Sequence, residues 1–527
     1  MKVSSDRIFS PARQPIWLDG GDDNHVERTD KAGRIEMTVH KNWKDSTVFI
    51  GDNLHIMRGM NSGQIDLIYL DPPFNSNHDY AAPIGSEAAG AAFKDTWTLQ
   101  DLDDAWYGYI ADKHPALYSI LDASGLATGD SVKSYLIYMA IRILEMKRLL
   151  KPTGSIYLHC DPTMSHYLKV VMDAIFDRRN FRNEIFWQRY SGRAKGNQYT
   201  PKTFGVHNDN LLFYVKNRET KLVDLYTSLS AADLNIQYPK IDAKGRRYTE
   251  IAHFRGKNMA PRPSLCYTWR GYTNPHPSGW RVCLDVLEKE YQDGKVVIHK
   301  NGRLERRRFY DPQKGVVLGN IWTDIQPPKK GEVTGYPTQK PLELLKRIIK
   351  ASSNKGDVVF DPFCGCGTTC IAAQDLDRKW VACDISQMAG ELVVKRMEKE
   401  LGMFYEGEVR NDFPKRTSND LTAEENEVFG DAKIERCNSL NNKYQLFGKQ
   451  GGRCNGCGLK LEFKLFEIDH IIPQVLNGSD HISNLQLLCG PCNSSKGVRP
   501  TNEFMAQKRD ELERQLKIHD GLLKKKR

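Results

Sequence analysis

PLELLKRIIKASSNKGDVVFDPFCGCGTTCIAAQDLDRKWVACD, residues 341–384, reads as helix, strand, glycine turn, helix and strand in succession. Leu342, Leu345, Ile348 and Ile349 recur at helical spacing, and Val358-Val359-Phe360 is a short apolar run closing on Asp361. That alternation predicts an α/β fold. Between strand and helix, Phe363-Cys364-Gly365-Cys366-Gly367 is a turn whose backbone can approach a ligand near a helix N-terminus. Gly367 is followed by Thr368-Thr369 rather than Lys-Ser/Thr, so this is no Walker phosphate loop. The third glycine of the dinucleotide fingerprint is also missing, while Asp384 ends the next strand about where an acidic residue meets ribose hydroxyls. A nucleoside cofactor without a pyrophosphate fits better than a dinucleotide, and a purely structural turn stays open at this point.

The same grammar begins near residue 46, in TVFIG (47–51) and IDLIYL (65–70). SYLIYMAIRILEMKRLLKP (134–152) predicts a helix that stops at Pro152, and GSIYLHC (154–160) a strand. At the exit of IDLIYL stands Asp71-Pro72-Pro73-Phe74. Two prolines fix φ and hold a carboxylate and a carbonyl rigidly at the sheet edge. Two fixed acceptors suit an NH2 group: an exocyclic base amine is a weak nucleophile, and binding both its N–H bonds favours a pyramidal nitrogen. Phe74 offers a face for an extruded base. A proline-stiffened strand exit is the plainer alternative. The small-residue stretch 81–92 is equally consistent with a mobile active-site loop and a passive insertion.

A chain of 527 residues predicts more than one folding unit. With 40% hydrophobic and 27% charged residues and a mean hydropathy of −0.56, it reads as globular, with no apolar run of membrane-spanning length and no N-terminal targeting pattern. A cytosolic location is expected. The net charge of +10 suits a polyanionic partner without requiring one. We expect an N-terminal extension with little structure of its own (1–45), an α/β catalytic domain (46–405), a polar linker (406–435), a cysteine-bearing domain (436–510) and a basic helical tail (511–527). Residues 181–330 are irregular and rich in Arg and aromatics, a recognition insert.

Four of the twelve cysteines form two pairs, Cys454-x2-Cys457 and Cys489-x2-Cys492. Four thiolates at two knuckles predict a closed, structural zinc site rather than a disulfide framework.

Taken together, GDNLHIM (51–57), IDLIYLDPPF, SYLIYMAIRILEMKRLLKPTGSIYLHCD, FGVHNDNLLFYVK and GYPTQKPLELLKRIIKASSNKGDVVFDPFCGCGTT (335–369) resemble, in order, the β-class amino-methyltransferases of DNA. The resemblance covers about 46–405. It implies a Rossmann-like methyltransferase sheet, S-adenosylmethionine as methyl donor and double-stranded DNA as partner, with no membrane and with a homodimer left open. It further implies that Asp71, Pro72, Pro73 and Phe74 handle the target base, and that Asp52, Thr338, Lys340, Asp361, Phe363, Gly365, Gly367 and Asp384 line the cofactor pocket. An Asp opening the tetrapeptide usually accompanies adenine N6 methylation in this family, with cytosine N4 the alternative. Residues 236–330 would recognise the target, and Arg303, Arg306, Arg307 and Arg308 could meet phosphates or guanine edges, or form an ordinary solvated face.

Glu467-Ile468-Asp469-His470, Asn484 and Cys492-Asn493 make the C-terminal unit similar to HNH endonucleases with a ββα-metal fold. That likeness implies His470 as general base, Asn484 orienting it, and Asp469 with Asn493 holding a divalent ion such as Mg2+. Asn rather than His at the last position makes a weaker ligand. A zinc module that binds DNA without cutting it is the alternative, and His481 reads as a turn residue. Methylation and cutting in one chain suggest a restriction-modification-like or phage-associated role, in a prokaryotic or phage setting.

Overall fold

Residues 25–29, 35–74, 80–81, 92–93, 104–189, 204–223, 226–227, 229, 231–312, 315–402, 405–417 and 437–525 are described by the computed structural model. Nine strands among them form one sheet: β1 (Thr47–Ile50), β2 (Ile65–Leu70), β3 (Leu150–Cys160), β4 (Phe181–Gln188), β5 (Asn208–Val215), β6 (Ile321–Trp322), β7 (Val358–Asp361), β8 (Lys379–Asp384) and β9 (Glu408–Arg410). They lie in the order β6-β4-β5-β3-β2-β7-β8-β1-β9. β5 is antiparallel to both its neighbours, and every other pairing is parallel. The central strands are buried on both faces, which is why they read as continuous apolar runs. The chain leaves β2 towards β3 on one side while β7 and β8 continue on the other. That divergence between β2 and β7 is a topological switch point, where open α/β sheets bind ligands beyond the carboxyl ends of their strands.

Helices α1 (Asn53–Gly59), α2 (Asp104–Lys113), α3 (Pro115–Thr128), α4 (Asp130–Leu149), α5 (Ser165–Phe176), α6 (Leu342–Ser352), α7 (Thr368–Asp375) and α8 (Gln387–Leu401) accompany this sheet. The helix expected to run to Pro152 stops at Leu149, because the chain entering β2 takes its last carbonyls: Gly63 N donates to Arg148 O (3.1 Å) and Gln64 N to Leu149 O (2.9 Å). Leu150 then pairs with Ile65, and a register shift before Leu67–Ser155 lets Pro152 sit inside β3.

Other boundaries also differ from the sequence reading. His25–Thr29 and Ile35–Val39 pair as an antiparallel ribbon inside the stretch expected to lack structure; residues 1–24 and 30–34 lie outside the described residues. Much of 181–330 is not insert, since β4, β5 and β6 belong to the sheet. The expected linker opens with β9, which pairs with β1, and continues with Pro414 against Gly59 and Lys415 O accepting from Asn42. Most of the 81–92 stretch, and 418–436, lie outside the described residues.

The chain divides into two units, 224–319 and the remainder. Residues 224–319 hold a four-stranded antiparallel sheet and a core of Trp269, Trp280, Leu287 and Leu304. The arginines singled out there are engaged internally: Arg303 with Glu305, Arg306 with Glu290, Arg307 with Glu250 and Arg308 with the Tyr238 hydroxyl.

The C-terminal elements are α9 (Leu440–Lys449), β10 (Phe466–His470), β11 (Leu485–Cys489), α10 (Gly490–Lys496) and α11 (Thr501–Lys525). β10 and β11 pair antiparallel and lead into α10, a ββα arrangement. α11 runs unbroken across the expected 510/511 boundary. α9 lies on α2: the Tyr444 hydroxyl donates to Asp112 (2.9 Å), and Tyr109 and Tyr118 meet Tyr444 and Phe447 edge-on or tilted. No helix among the described residues is long and apolar enough to cross a membrane.

Candidate active sites

A cavity of about 550 Å3 opens beyond the carboxyl ends of β1, β2, β7 and β8. Asp52, Asp71, Pro72, Pro73, Phe74, Thr338, Lys340, Asp361, Phe363, Gly365 and Asp384 all line it; Gly367, expected with them, does not.

The glycine turn explains its own composition. Gly365 has φ +49°, and a Cβ there would meet the Tyr336 ring at 2.8 Å; its N–H donates to Asp384 Oδ2 (2.8 Å). Gly367, at φ +72°, starts α7 so close to α8 that a Cβ would meet Val393 at 2.5 Å, so its role is packing rather than lining. Asp361 accepts from Phe363 N (3.0 Å) and from the Thr369 hydroxyl, and burial lifts its carboxyl to about 7. Burial raises Asp384 as well, against backbone N–H bonds from Ser386 and Gly365.

Across the cavity, Asp52 caps α1 by accepting from Leu54 N (2.8 Å) and pairs with Arg142 through both carboxylate oxygens (2.7 and 2.9 Å). The same guanidinium reaches Asn53 Oδ1 (2.7 Å), whose amide donates to Pro362 O (2.7 Å). Arg142 thus ties the start of α1 to the glycine turn. Sequence reading passed over it, although a lone cation inside the apolar run of α4 was the available signal.

Asp71 stands at the cavity wall where β2 ends. Lys340 Nζ lies 2.5 Å from its Oδ2, while Oδ1 is buried without a hydrogen-bond partner among the described residues. Lys340, expected at the cofactor, therefore reaches the carboxylate at the tetrapeptide. It is delivered by a turn in which Thr338 holds φ +62°, an uncommon conformation for a β-branched residue and costly unless its surroundings enforce it. Gln339 supplies that enforcement, accepting from Thr334 N (2.9 Å) and donating to Glu332 O (2.8 Å).

In the C-terminal unit the four cysteine Sγ atoms lie within 4.8 Å of one another, with Cys457 and Cys489 3.9 Å apart. Thiolates placed tetrahedrally about 2.3 Å from zinc are about 3.8 Å apart, so the set fits that ion. Burial opposes the Cys454 thiolate, but backbone N–H groups of Cys489 and Gly456 bring it down to about 7. Lys508 donates to Cys492 Sγ (3.0 Å).

Beside this cluster, His470 Nε2 meets Asp480 Oδ1 (2.8 Å), a partner the sequence reading did not name. Among the described residues, the hydrogen bonds of Asn484 go to the loop backbone and not to the imidazole. Its Oδ1 accepts from Ile472 N and its amide donates to the Ile472 and Ser479 carbonyls, clamping the loop that follows His470. Asp469 accepts from Gln486 (2.8 Å) and faces the fully buried Lys496 ammonium (3.1 Å); Asn493 donates to Glu467 (2.6 Å). A divalent ion at Asp469 would share that carboxylate with a buried cation. His481 caps a short turn, as expected.

The family model for DNA methylases matches residues 65–395, and the HNH endonuclease model matches 454–499. The type II methyltransferase M.EcaI of Enterobacter cloacae is 29% identical, covering 67% of this chain and 69% of its own length. The Mod subunit of the type III restriction-modification enzyme StyLTI of Salmonella typhimurium is 26% identical over 66% of this chain, which spans 54% of that relative. Among solved structures, the complex of M1.HpyAVI with SAM covers 67% of this chain and 98% of its own at 14% identity and a TM-score of 0.31. The switch-point cavity, the DPPF exit and a match across well over half of the sequence converge: the chain belongs to the N6/N4 DNA methylase family and carries a C-terminal HNH endonuclease domain.

Proposed function

We propose that this chain transfers a methyl group from S-adenosylmethionine to an exocyclic amine in double-stranded DNA, adenine N6, and that its HNH domain cleaves DNA with a divalent ion such as Mg2+. The observation that carries the first part is Asp71: one oxygen is fixed by Lys340, and the other is buried, unpartnered and at the wall of a ligand-sized cavity. An unsatisfied buried acceptor is costly unless a ligand donor completes it.

Asp52 and Asp71 are paired with the cations Arg142 and Lys340, and the Asp384 carboxyl, held by the N–H groups of Gly365 and Ser386, adds an acidic group to the wall that suits a positively charged ligand. S-adenosylmethionine, when bound, supplies an electrophilic methyl group on a cationic sulfur. Asp71 Oδ1 and the Pro72 carbonyl then accept the two N–H bonds of the amine, and Lys340 keeps the carboxylate from turning away. Transfer would form the N–C bond as the S–C bond breaks, with one amine proton passing to Asp71 Oδ1 and on to solvent. The base must leave the duplex to reach these acceptors, with Phe74 as its stacking face. Asp71, as in the adenine-type tetrapeptide, supports N6 over N4. His470, paired with Asp480, is the base of the nuclease reading, and both activities in one chain fit a restriction-modification role.

The test is DNA from a methylation-free host expressing the His470→Ala chain. N6-methyladenine at one recurring sequence is expected, and N4-methylcytosine would overturn the adenine assignment. Asp71→Ala in the same background should lower transfer at least about 10³-fold with cofactor affinity changed less than about threefold. Purified wild type should cut unmodified DNA only with a divalent ion, and His470→Ala should not; nicking by that variant removes His470 from the site.

A further inference from the structure

Under the DPPF exit lies a buried polar group that the reaction above does not use. His159 is fully buried. Its Nδ1 meets the Tyr69 hydroxyl at 2.8 Å and its Nε2 meets Asp209 Oδ2 at 3.0 Å. The imidazole is stacked on Phe74, with centroids 6.0 Å apart and planes 21° apart, and the Trp187 ring closes on it edge-first at 5.9 Å. Asp209 is itself 1% exposed, with Arg189 Nε 3.2 Å from its second oxygen.

The sheet order explains the meeting. Tyr69 is the penultimate residue of β2, His159 the penultimate residue of β3, and Asp209 the second residue of the antiparallel β5, so three adjacent strands deliver these side chains to one sheet end. An apolar trio would fill the same space without burying a carboxylate, and a buried ionic group is a poor source of stability compared with hydrophobic packing. What the polar trio supplies is orientation. With both ring nitrogens engaged from opposite sides, the imidazole plane cannot rotate, and the ring stacked on it inherits that plane.

We propose that His159 is a positioning residue for methyl transfer: clamped between Tyr69 and Asp209, it fixes the tilt of Phe74 and hence of the base stacked on that ring. This rests on the base-binding reading of Phe74. A small rotation of the base would move its amine away from Asp71 Oδ1 and the Pro72 carbonyl, and misplacement by about 1 Å can cost about 10²-fold in rate.

The experiment follows tritiated methyl transfer from S-adenosylmethionine to unmethylated phage DNA, with kcat, the KM for DNA, the cofactor Kd and the melting temperature measured separately. His159→Leu and Asp209→Leu should lower kcat by about 30-fold or more while KM and cofactor Kd change less than about threefold. Asp209→Asn, which keeps an acceptor for the imidazole, should restore kcat to within about threefold of wild type. Tyr69→Phe, which removes one link and keeps the ring, should lower kcat by about three- to tenfold.

An unchanged kcat in folded His159→Leu overturns the proposal, as does a kcat loss matched by equal losses in cofactor or DNA binding. If the leucine variants do not fold, Tyr69→Phe decides, and a wild-type kcat there overturns it. Failure of wild type itself to methylate DNA would instead remove the reading of Phe74 on which the proposal stands.

Discussion

At the scale of single residues, Asp361 is the group whose charge the fold resists. Burial lifts its carboxyl to about 7, against an ordinary value of 3.8. The folded chain therefore binds this proton more tightly than the unfolded chain. The resulting stabilisation is complete below about pH 4 and disappears as pH rises through 7. Asp361→Asn stays neutral throughout and keeps an oxygen for Phe363 N and an amide for the Thr369 hydroxyl. In cofactor-free protein, wild type should lose about 2 kcal/mol from this group between pH 5.5 and pH 8, and the variant should not. Melting curves across that interval check the point, and parallel curves for the two chains would contradict it. Asp361 as a site residue was legible because it ends an apolar strand before a glycine turn. Its burial was not, because it depends on α7 folding back over it. The Lys340–Asp71 and Arg142–Asp52 contacts were not legible for a related reason: the partners are 269 and 90 residues apart in sequence.

At the scale of elements, β2, β7 and β8 could be read directly because burial on both faces makes them apolar runs. β4 carries Arg182, Asn183 and Glu184, and β9 is Glu408-Val409-Arg410; pairing with neighbours, not composition, makes these strands. The contact between α2 and α9 was equally hidden, since Tyr107, Tyr109 and Tyr444 look like ordinary core positions. Its sharpest feature is Gly108, where a Cβ would meet the Tyr444 carbonyl oxygen at 2.5 Å and its Cα at 2.6 Å. A backbone neighbour cannot yield as a flexible side chain can. In an exposed helix, Gly→Ala stabilises by about 1 kcal/mol. Here Gly108→Ala should have the opposite sign and push α9 away. Hydrogen exchange should accelerate in Leu440–Lys449 and Asp104–Lys113 while β2 and β7 stay protected; unchanged protection of both helices would mean that the contact tolerates the methyl group.

At the scale of the molecule, the cysteine cluster and the contact of the HNH domain with α2 and α3 belong to one packing problem. Tyr444 and Phe447 of α9 share a single core with Cys454, Cys489 and Cys492, with Phe463 and Phe466, and with Phe504 of α11, and Tyr109 and Tyr118 from α2 and α3 pack against it. Three of the four cysteines thus belong to the core that α2 and α3 meet. None of the residues lining the methyl-transfer cavity comes from that domain. The two halves should consequently differ in their dependence on metal. A structural zinc contributes on the order of 10 kcal/mol to a small domain that otherwise lacks a sufficient core. Purified protein should hold one zinc per chain. Stripping it with a chelator, or replacing Cys457 and Cys489 with serine, should abolish cleavage and uncover the faces of Tyr109 and Tyr118, seen as increased binding of a hydrophobic dye. Methyl transfer should persist at a rate within about threefold of the zinc-loaded chain, because the switch-point cavity keeps every residue that builds it. If transfer collapses together with cleavage, the docked domain supports the cavity through α2, whose Trp106 lines it, and the halves are one cooperative unit. If purified protein holds no zinc and the serine replacements change neither dye binding nor cleavage, the four cysteines are not a metal site, and the core around Tyr444 holds this end of the chain unaided.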